Sequence, residues 1–473
     1  MQQTEAFFQR IDKALHDEQA RTSFRSTMSG LMQKRSVQFP DADELDGLRD
    51  QAREIRAHAL RRLPDLLEQL EQKLTENGIK VHWAESAAQA NEIIYQILEA
   101  AQAKSLVKGK SMVSEETELN HYLEQRGIEV LESDLGEFII QLAHEPPSHI
   151  VAPAIHKNVK QVAALFHQFF PELGYTENVE ELTLLARKIL RDKFATADAG
   201  ISGVNFAVAE TGTLCLVENE GNGRLSTTAP NLHIAITGIE KVVEKLSDVP
   251  PLLNILTKSA TGQPITTYFN MISRPRQSDE KDGPQAVHLV LLDNQRSAIR
   301  MDEELLDTLR CIRCGACINH CPVYVQVGGH AYGTVYPGPI GCVLEPQRLG
   351  IDKIGTLTSA CSLCGACGEV CPVRIPLPKL INRLRAESVN AKRSLAHING
   401  KGSMRKITES QAWALWRLVY ANPRSYRSFR WLATRLRGLT PSRLGAWTRY
   451  RSAPKPAARS LQELAKEEGF DDE

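Results

Sequence analysis

Two short cysteine runs constrain this chain more than any other feature. The first reads Cys311-Ile-Arg-Cys314-Gly-Ala-Cys317-Ile-Asn-His-Cys321-Pro322, the second Cys361-Ser-Leu-Cys364-Gly-Ala-Cys367-Gly-Glu-Val-Cys371-Pro372. Both have the spacing C-x2-C-x2-C-x3-C-P, and together they use eight of the ten cysteines. Three thiolates so spaced wrap one corner of an iron–sulfur cubane, and the fourth, before proline, ligates the other cluster in two-cluster proteins. Gly315 and Gly365 permit the tight backbone, and proline turns the chain away. The spacing predicts two [4Fe–4S] clusters held in crossed fashion. Cys311, Cys314, Cys317 and Cys371 hold one; Cys361, Cys364, Cys367 and Cys321 hold the other. Zinc sites use four ligands, often as two C-x2-C pairs, and fit two runs of four poorly. Disulfides fit less well: no secretory signal pattern opens the chain, and cytosolic thiols stay reduced.

At 473 residues the chain has room for two to four domains. Its formal charge is zero, so overall electrostatics name no partner. No run of 18 apolar residues occurs, so the expected location is cytoplasmic, with any membrane association peripheral at the inner face. Residues 1–75 show helical periodicity, as in Leu60, Leu63, Leu66, Leu67 and Leu70, with Pro64 starting a new helix. Residues 76–299 alternate short apolar runs with helices. The strands expected are 79–83, 105–108, 128–131, 206–209, 212–217, 233–236 and 287–292. Helices are expected at 87–103 and 115–126, and a polar loop at 273–285. That rhythm predicts an α/β domain with a mostly parallel sheet. Residues 300–390 carry the cysteine runs between helical stretches, 302–310 before and 377–388 after, which predicts an α-helical ferredoxin domain. Residues 391–473 form a basic helical C-terminal region.

Between 401 and 460 there are 14 Lys and Arg against one acid, Glu409. Trp413, Trp416, Tyr420, Tyr426, Phe429, Trp431, Trp447 and Tyr450 are interleaved among them. Such a segment fits a packed helical subdomain, a docking surface for a partner, or peripheral lipid binding. Nothing else suggests nucleic acid.

Several phrases in the α/β region carry a resemblance. They are Lys108-Gly-Lys-Ser-Met-Val-Ser-Glu-Glu116, Glu132-Ser-Asp-Leu-Gly-Glu-Phe-Ile-Ile-Gln141 and Pro147-Ser-His-Ile-Val-Ala-Pro-Ala-Ile-His156. Gly203-Val-Asn-Phe-Ala-Val-Ala-Glu-Thr-Gly-Thr213, Asn219-Glu-Gly-Asn-Gly-Arg224 and Gly238-Ile-Glu-Lys241 complete them. With the twin-cluster region and basic tail behind them, they resemble the lactate-utilization protein B family. The resemblance implies an α/β domain similar to the ribose-phosphate isomerase and CoA transferase fold. It also implies an iron–sulfur electron-transfer subunit of a complex that oxidises L-lactate to pyruvate. The partners implied are a cysteine-rich protein and a second protein with the same α/β domain. A stand-alone 2-hydroxy-acid oxidoreductase and a redox-sensing metabolite-binding protein are the competing readings.

Individual residues extend the expectation. Lys108, Lys110, Asn219 and Arg224, with Glu210 and Thr211 at a turn, are candidates for binding a carboxylate substrate, since arginine grips carboxylates bidentately. Asp134, Glu137 and Gln141 are candidates for the same crevice, and His149, His156 and His233 for proton carriage. Each also has an ordinary structural reading: a solvated cation, a β-turn, a hydrogen-bonded histidine. Cys215 reads as core. Cys342, His330 and Tyr332 lie in the insert between the cysteine runs and are candidates to approach a cluster. No G-x-G-x-x-G dinucleotide fingerprint is present. No residue is assigned a catalytic role.

Overall fold

The computed structural model describes residues 2–390, 407–443, 448, 452–453 and 455–470. The chain separates into two compact units, Met1–Met404 and Arg405–Glu473.

The first unit opens with four helices, Gln2–His16, Glu18–Gln38, Ala42–Arg61 and Leu63–Glu76. Asp17 and Asp41 cap the second and third by accepting main-chain N–H groups. Pro64 sits in the first turn of the fourth, as expected, and the leucine stripe Leu63, Leu66, Leu67, Leu70 and Leu74 is buried.

Ten strands follow: β1 Lys80–Ala84, β2 Ser105–Lys108, β3 Glu129–Glu132, β4 Ala199–Ser202, β5 Phe206–Val208, β6 Thr213–Glu218, β7 Leu232–Gly238, β8 Val242–Val243, β9 Tyr268–Ile272 and β10 Ala286–Leu292. Six form one parallel sheet in the order β1-β10-β7-β4-β2-β3. Strands β7 and β10 are mostly apolar and buried along almost their whole length, which suits strands covered on both faces. That sheet is the parallel one expected, and the other four strands add to it. They make a second sheet, β8-β5-β6-β9, with β6 antiparallel to both neighbours. A connection of four residues, turning at Gly212 (φ 63°), joins β5 to β6, and parallel strands need a far longer crossover. The helix expected at 115–126 is broken into Met112–Glu116 and Leu119–Glu124, because Glu118 takes up a left-handed φ of 54° between them.

In the large sheet β2 leads outward to β3, whereas β4, its other neighbour, leads back toward β7. The carboxyl ends of β2 and β4 therefore flank a topological switch point, where open α/β sheets place their ligands.

Residues 305–389 are helical. A 3-10 turn at Leu305–Arg310 replaces the expected longer helix, with Asp302 accepting N–H bonds from Glu304 and Leu305. Leu377–Val389 is helical as expected. The insert between the cysteine runs holds Gly338–Leu349, a helix buried almost throughout. The cluster region, the N-terminal helices and the second sheet share one hydrophobic core.

In the second unit, helices Ile407–Tyr420, Pro423–Arg435 and Leu461–Glu467 are described. Trp416 stacks on Tyr420 at 4.4 Å, and Tyr420 touches Tyr426 and Phe429. Trp413, Trp416, Phe429 and Trp431 stay exposed. Trp447 and Tyr450 lie outside the described residues. Among the described residues no helix is long and apolar enough to cross a membrane.

Candidate functional site

The two cysteine loops repeat the same backbone device. Arg313 and Leu363, two residues after the first cysteine of each run, are left-handed (φ 61° and 58°), and Gly315 and Gly365 follow at 77° and 90°. This folding aims main-chain N–H groups at sulfur. Arg313 donates to Cys311 Sγ at 3.4 Å and Leu363 to Cys361 Sγ at 3.3 Å. Ile375 donates to Cys371 Sγ at 3.3 Å.

The sulfurs group across the runs. Cys317 lies in the electrostatic field of Cys311, Cys314 and Cys371, with Cys367 the weakest of the four contributors. Cys321 feels Cys361 and Cys364, and Cys367 feels all three. A small cavity is lined by Cys321, Cys361, Cys364 and Cys367 together. Burial pushes the Cys367 thiol up to about 12 and Cys371 to about 11, and raises Cys314 and Cys317 as well. Buried thiols so disposed give up their protons to a metal centre, which supplies the missing positive charge.

The donor set suits cubanes better than single ions. Tetrahedral zinc, with Zn–S near 2.3 Å, holds its sulfurs about 3.8 Å apart. No three cysteine sulfurs among the described residues come within 4.8 Å of one another.

Arginines from the N-terminal helices brace this region. Arg49 donates to the carbonyls of Cys371 (3.0 Å) and Gly368 (3.1 Å). Arg56, fully buried, donates to the carbonyls of Val242 (2.9 Å), Leu309 (3.2 Å) and Glu240. The phrase 147–156 packs against the first cysteine loop. His149 Nδ1 accepts from the N–H groups of Val151 and Ala152, so its Nε2–H donates to Asn319 at 3.0 Å. Burial, with Lys110 nearby, pushes His149 down to about 3, and it stays neutral. His233, bonded to Ser202, is pushed to about 4 by burial.

At the switch point a cavity of about 330 Å³ opens between the two sheets and the first cysteine loop. Its lining includes Lys110, Asp134, Asn219, Glu220, Lys241 and Arg313. Lys110 donates to Val151 O at 2.9 Å and faces Glu137 at 3.5 Å. Lys241 donates to the carbonyl of Cys311 at 3.3 Å. Arg313 lies over the Tyr336 ring at 4.5 Å, and its Nη1 is buried without a hydrogen-bond partner. Glu220 is pushed up to about 7 by burial and by Asp134.

Of the nine residues expected around a substrate, Lys110, Asp134 and Asn219 line this crevice and the other six do not. Lys108 is fully buried and paired with Glu132 (2.7 Å) and Glu115 (3.1 Å). Glu210 accepts from Leu246 N, and Thr211 sits in the hairpin turn, its carbonyl held by Asn77. Arg224 is exposed, and the N–H groups of its loop are already taken, with Glu218 accepting from Gly223 (2.6 Å) and Arg224 (2.7 Å). Glu137 is buried against Lys110, and Gln141 holds the main chain of β3. The crevice cations that sequence reasoning missed are Lys241 and Arg313. Arg313 had one available signal, its place between two cluster cysteines.

Cys342 is buried and donates to Leu357 O at 3.1 Å. It and Tyr332 both lie in the field of Cys321 and Cys361, beside the second cysteine set.

A two-sheet α/β region joined to a twin-cluster cysteine region defines an iron–sulfur protein with an attached α/β domain. Family models match in the same order: a LUD domain over residues 67–292, a 4Fe-4S dicluster domain over 307–375, and the C-terminal domain of lactate utilisation protein B over 383–470. The chain belongs to the lactate utilization protein B family. It is 40% identical to lactate utilization protein B of Bacillus velezensis over 463 residues, covering 96% of this chain and 95% of that protein. The Bacillus subtilis protein of the same name is 42% identical, covering 85% of this chain and 84% of its own. An uncharacterized electron transport protein of Escherichia coli is 44% identical, covering 80% and 79%.

Proposed function

We propose that this chain is the iron–sulfur electron-transfer subunit of an assembly that oxidises L-lactate, with two [4Fe–4S] clusters in the crossed ligation set out above. The observation that carries this reading is the grouping of Cys321 with Cys361, Cys364 and Cys367 around one cavity. Cubanes bound there supply one-electron transfer. The chain's own part is to hold the thiolates, aim N–H groups at them and exclude water.

The crevice is the entry side in this reading. A small carboxylate there meets Lys110, Lys241 and Arg313, and Arg313 belongs to the loop that holds the first cluster. Glu220 is poised to take up a proton near neutrality. The six-stranded parallel sheet supports the α/β region as a variant of the ribose-phosphate isomerase and CoA transferase fold. The same reading divides the chain at 1–75, 76–299, 300–390 and 391–473, and sets it in the cytoplasm beside a cysteine-rich subunit and a second LUD protein.

Arg313→Gln tests the crevice. It removes a charged donor and keeps a planar polar side chain, so L-lactate should bind about 10–100-fold more weakly, the loss of one charged hydrogen bond. Calorimetric titration of the holo-protein with L-lactate checks this, with iron content confirming intact clusters. Unchanged affinity removes the crevice from the account.

A further inference from the structure

A second set of ligand-type side chains lies apart from the cysteines. Glu145, His156 and His330 each bring one ligand atom to a common point, all within 4.8 Å of one another. No other group of three His, Cys, Asp or Glu does so among the described residues. Glu145 and His156 come from the segment after helix Leu135–Leu142 of the α/β region. His330 comes from the glycine-rich insert between the cysteine runs. The chain is pressed together here: a Cβ on the neighbouring Gly329 would lie 1.8 Å from the carbonyl oxygen of Ser148.

The hydrogen bond of His330 leaves a lone pair for a cation, and an ion would take the place of the proton between His156 and Glu145. His330 Nε2–H donates to the carbonyl of Pro146 at 2.8 Å. That bond fixes the tautomer and leaves Nδ1 with a free lone pair, the arrangement in which metal-bound histidines are held. The His156 and His330 rings meet edge to face, centroids 4.6 Å apart. His156 Nε2 lies 2.6 Å from Glu145 Oε2, while its Nδ1 is buried with no hydrogen-bond partner. Lys157 occupies the other carboxylate oxygen at 2.5 Å, so Glu145 is oriented and ionised.

We propose that Glu145, His156 and His330 form a binding site for one divalent first-row metal ion, distinct from the two clusters. Two imidazoles and one carboxylate suit zinc or ferrous ions and leave a coordination position open. His330 also lines a cavity of about 610 Å³ with Pro146, Pro147 and Gly329, which gives an exchangeable ligand access to the ion. The ion ties the α/β region to the insert that packs beside the second cysteine set.

The test uses the full chain with both clusters reconstituted anaerobically, so that the cysteines are already occupied. After incubation with Zn²⁺ and gel filtration, the protein should retain one zinc per chain, with only nitrogen and oxygen neighbours by X-ray absorption. His330→Ala and His156→Ala should each lower retained zinc at least tenfold at unchanged iron content. Glu145→Gln keeps the shape of the site and should also lose zinc, which covers the case of a histidine variant that fails to fold. No retained zinc, sulfur neighbours around the zinc, or undiminished zinc in the folded variants overturns the proposal.

Discussion

On the proposed crossed ligation, replacing Cys371 by serine should remove the cluster held by Cys311, Cys314 and Cys317, and spare the one held by the three cysteines beside it in sequence. Iron should fall from about eight to about four per chain, four being lost with each cubane. Cys371 ends the second run, yet its sulfur lies in the field of Cys311. Its position is set from outside the run: Arg49 holds its carbonyl at 3.0 Å, and Ile375 donates to its sulfur at 3.3 Å. A serine oxygen is a harder and poorer ligand for cluster iron than the soft thiolate it replaces. Cys321→Ser should give the mirror result, loss of the cluster at Cys361, Cys364 and Cys367. Iron and sulfide analysis, with EPR of the reduced protein, reads both outcomes. Loss of the sequence-adjacent cluster in either variant would refute the crossed arrangement.

The second large effect concerns a buried ion network under the crevice. Arg296 pairs with Glu116 through two 2.9 Å bonds and with Glu240 at 2.5 Å. Tyr336 of the insert donates to Glu116 at 2.9 Å. All four side chains are buried, and the network joins the α/β region to the cluster region. Arg296→Met leaves two carboxylates in the interior with their main partner gone, at a cost of about 3–5 kcal/mol. The denaturation midpoint of the holo-protein should fall accordingly; a midpoint matching the parent would show that the network adds nothing. The network also sets an acid limit. Burial opposes ionisation of Glu116, but Arg296 and Arg348 outweigh it and hold the carboxyl at about 2. A folded-state value below the unfolded one stabilises the protein fully above about pH 4.5, and this contribution is lost as pH falls toward 2.

The cofactor class was legible in the chain because ligand spacing within a loop is local. Cys311 to Cys317 must lie on one turn whatever surrounds them. Most sheet elements were legible for the same reason: the apolar runs of β7 and β10 are long and bounded by turn residues. Strand β4, Ala199–Ser202, is short and glycine-containing, and nothing local marks it as the partner of β2. The separation into two sheets followed from the short β5–β6 turn, a feature that periodicity does not weigh. The crevice was half legible. Lys110 and Asn219 sit in loops after strands, where α/β ligands bind. Arg224 looked equally suitable, but Glu218 of the preceding strand fills the amide positions beside it. Lys241 and Arg313 come from distant parts of the sequence and meet only through packing of the cluster region on the α/β region. The Glu145–His156–His330 group is likewise a product of tertiary folding, with 174 residues separating its last two members.

In the proposed function, electrons from lactate pass through this chain's clusters. This is tested most directly by mixing the oxidised, partner-bound holo-protein anaerobically with L-lactate and following EPR and pyruvate together in freeze-quenched samples. [4Fe–4S]⁺ signals from two interacting clusters should grow as pyruvate forms, and both should be absent without lactate. Pyruvate formation with both clusters still oxidised, in the absence of any other electron acceptor, would contradict the proposed function.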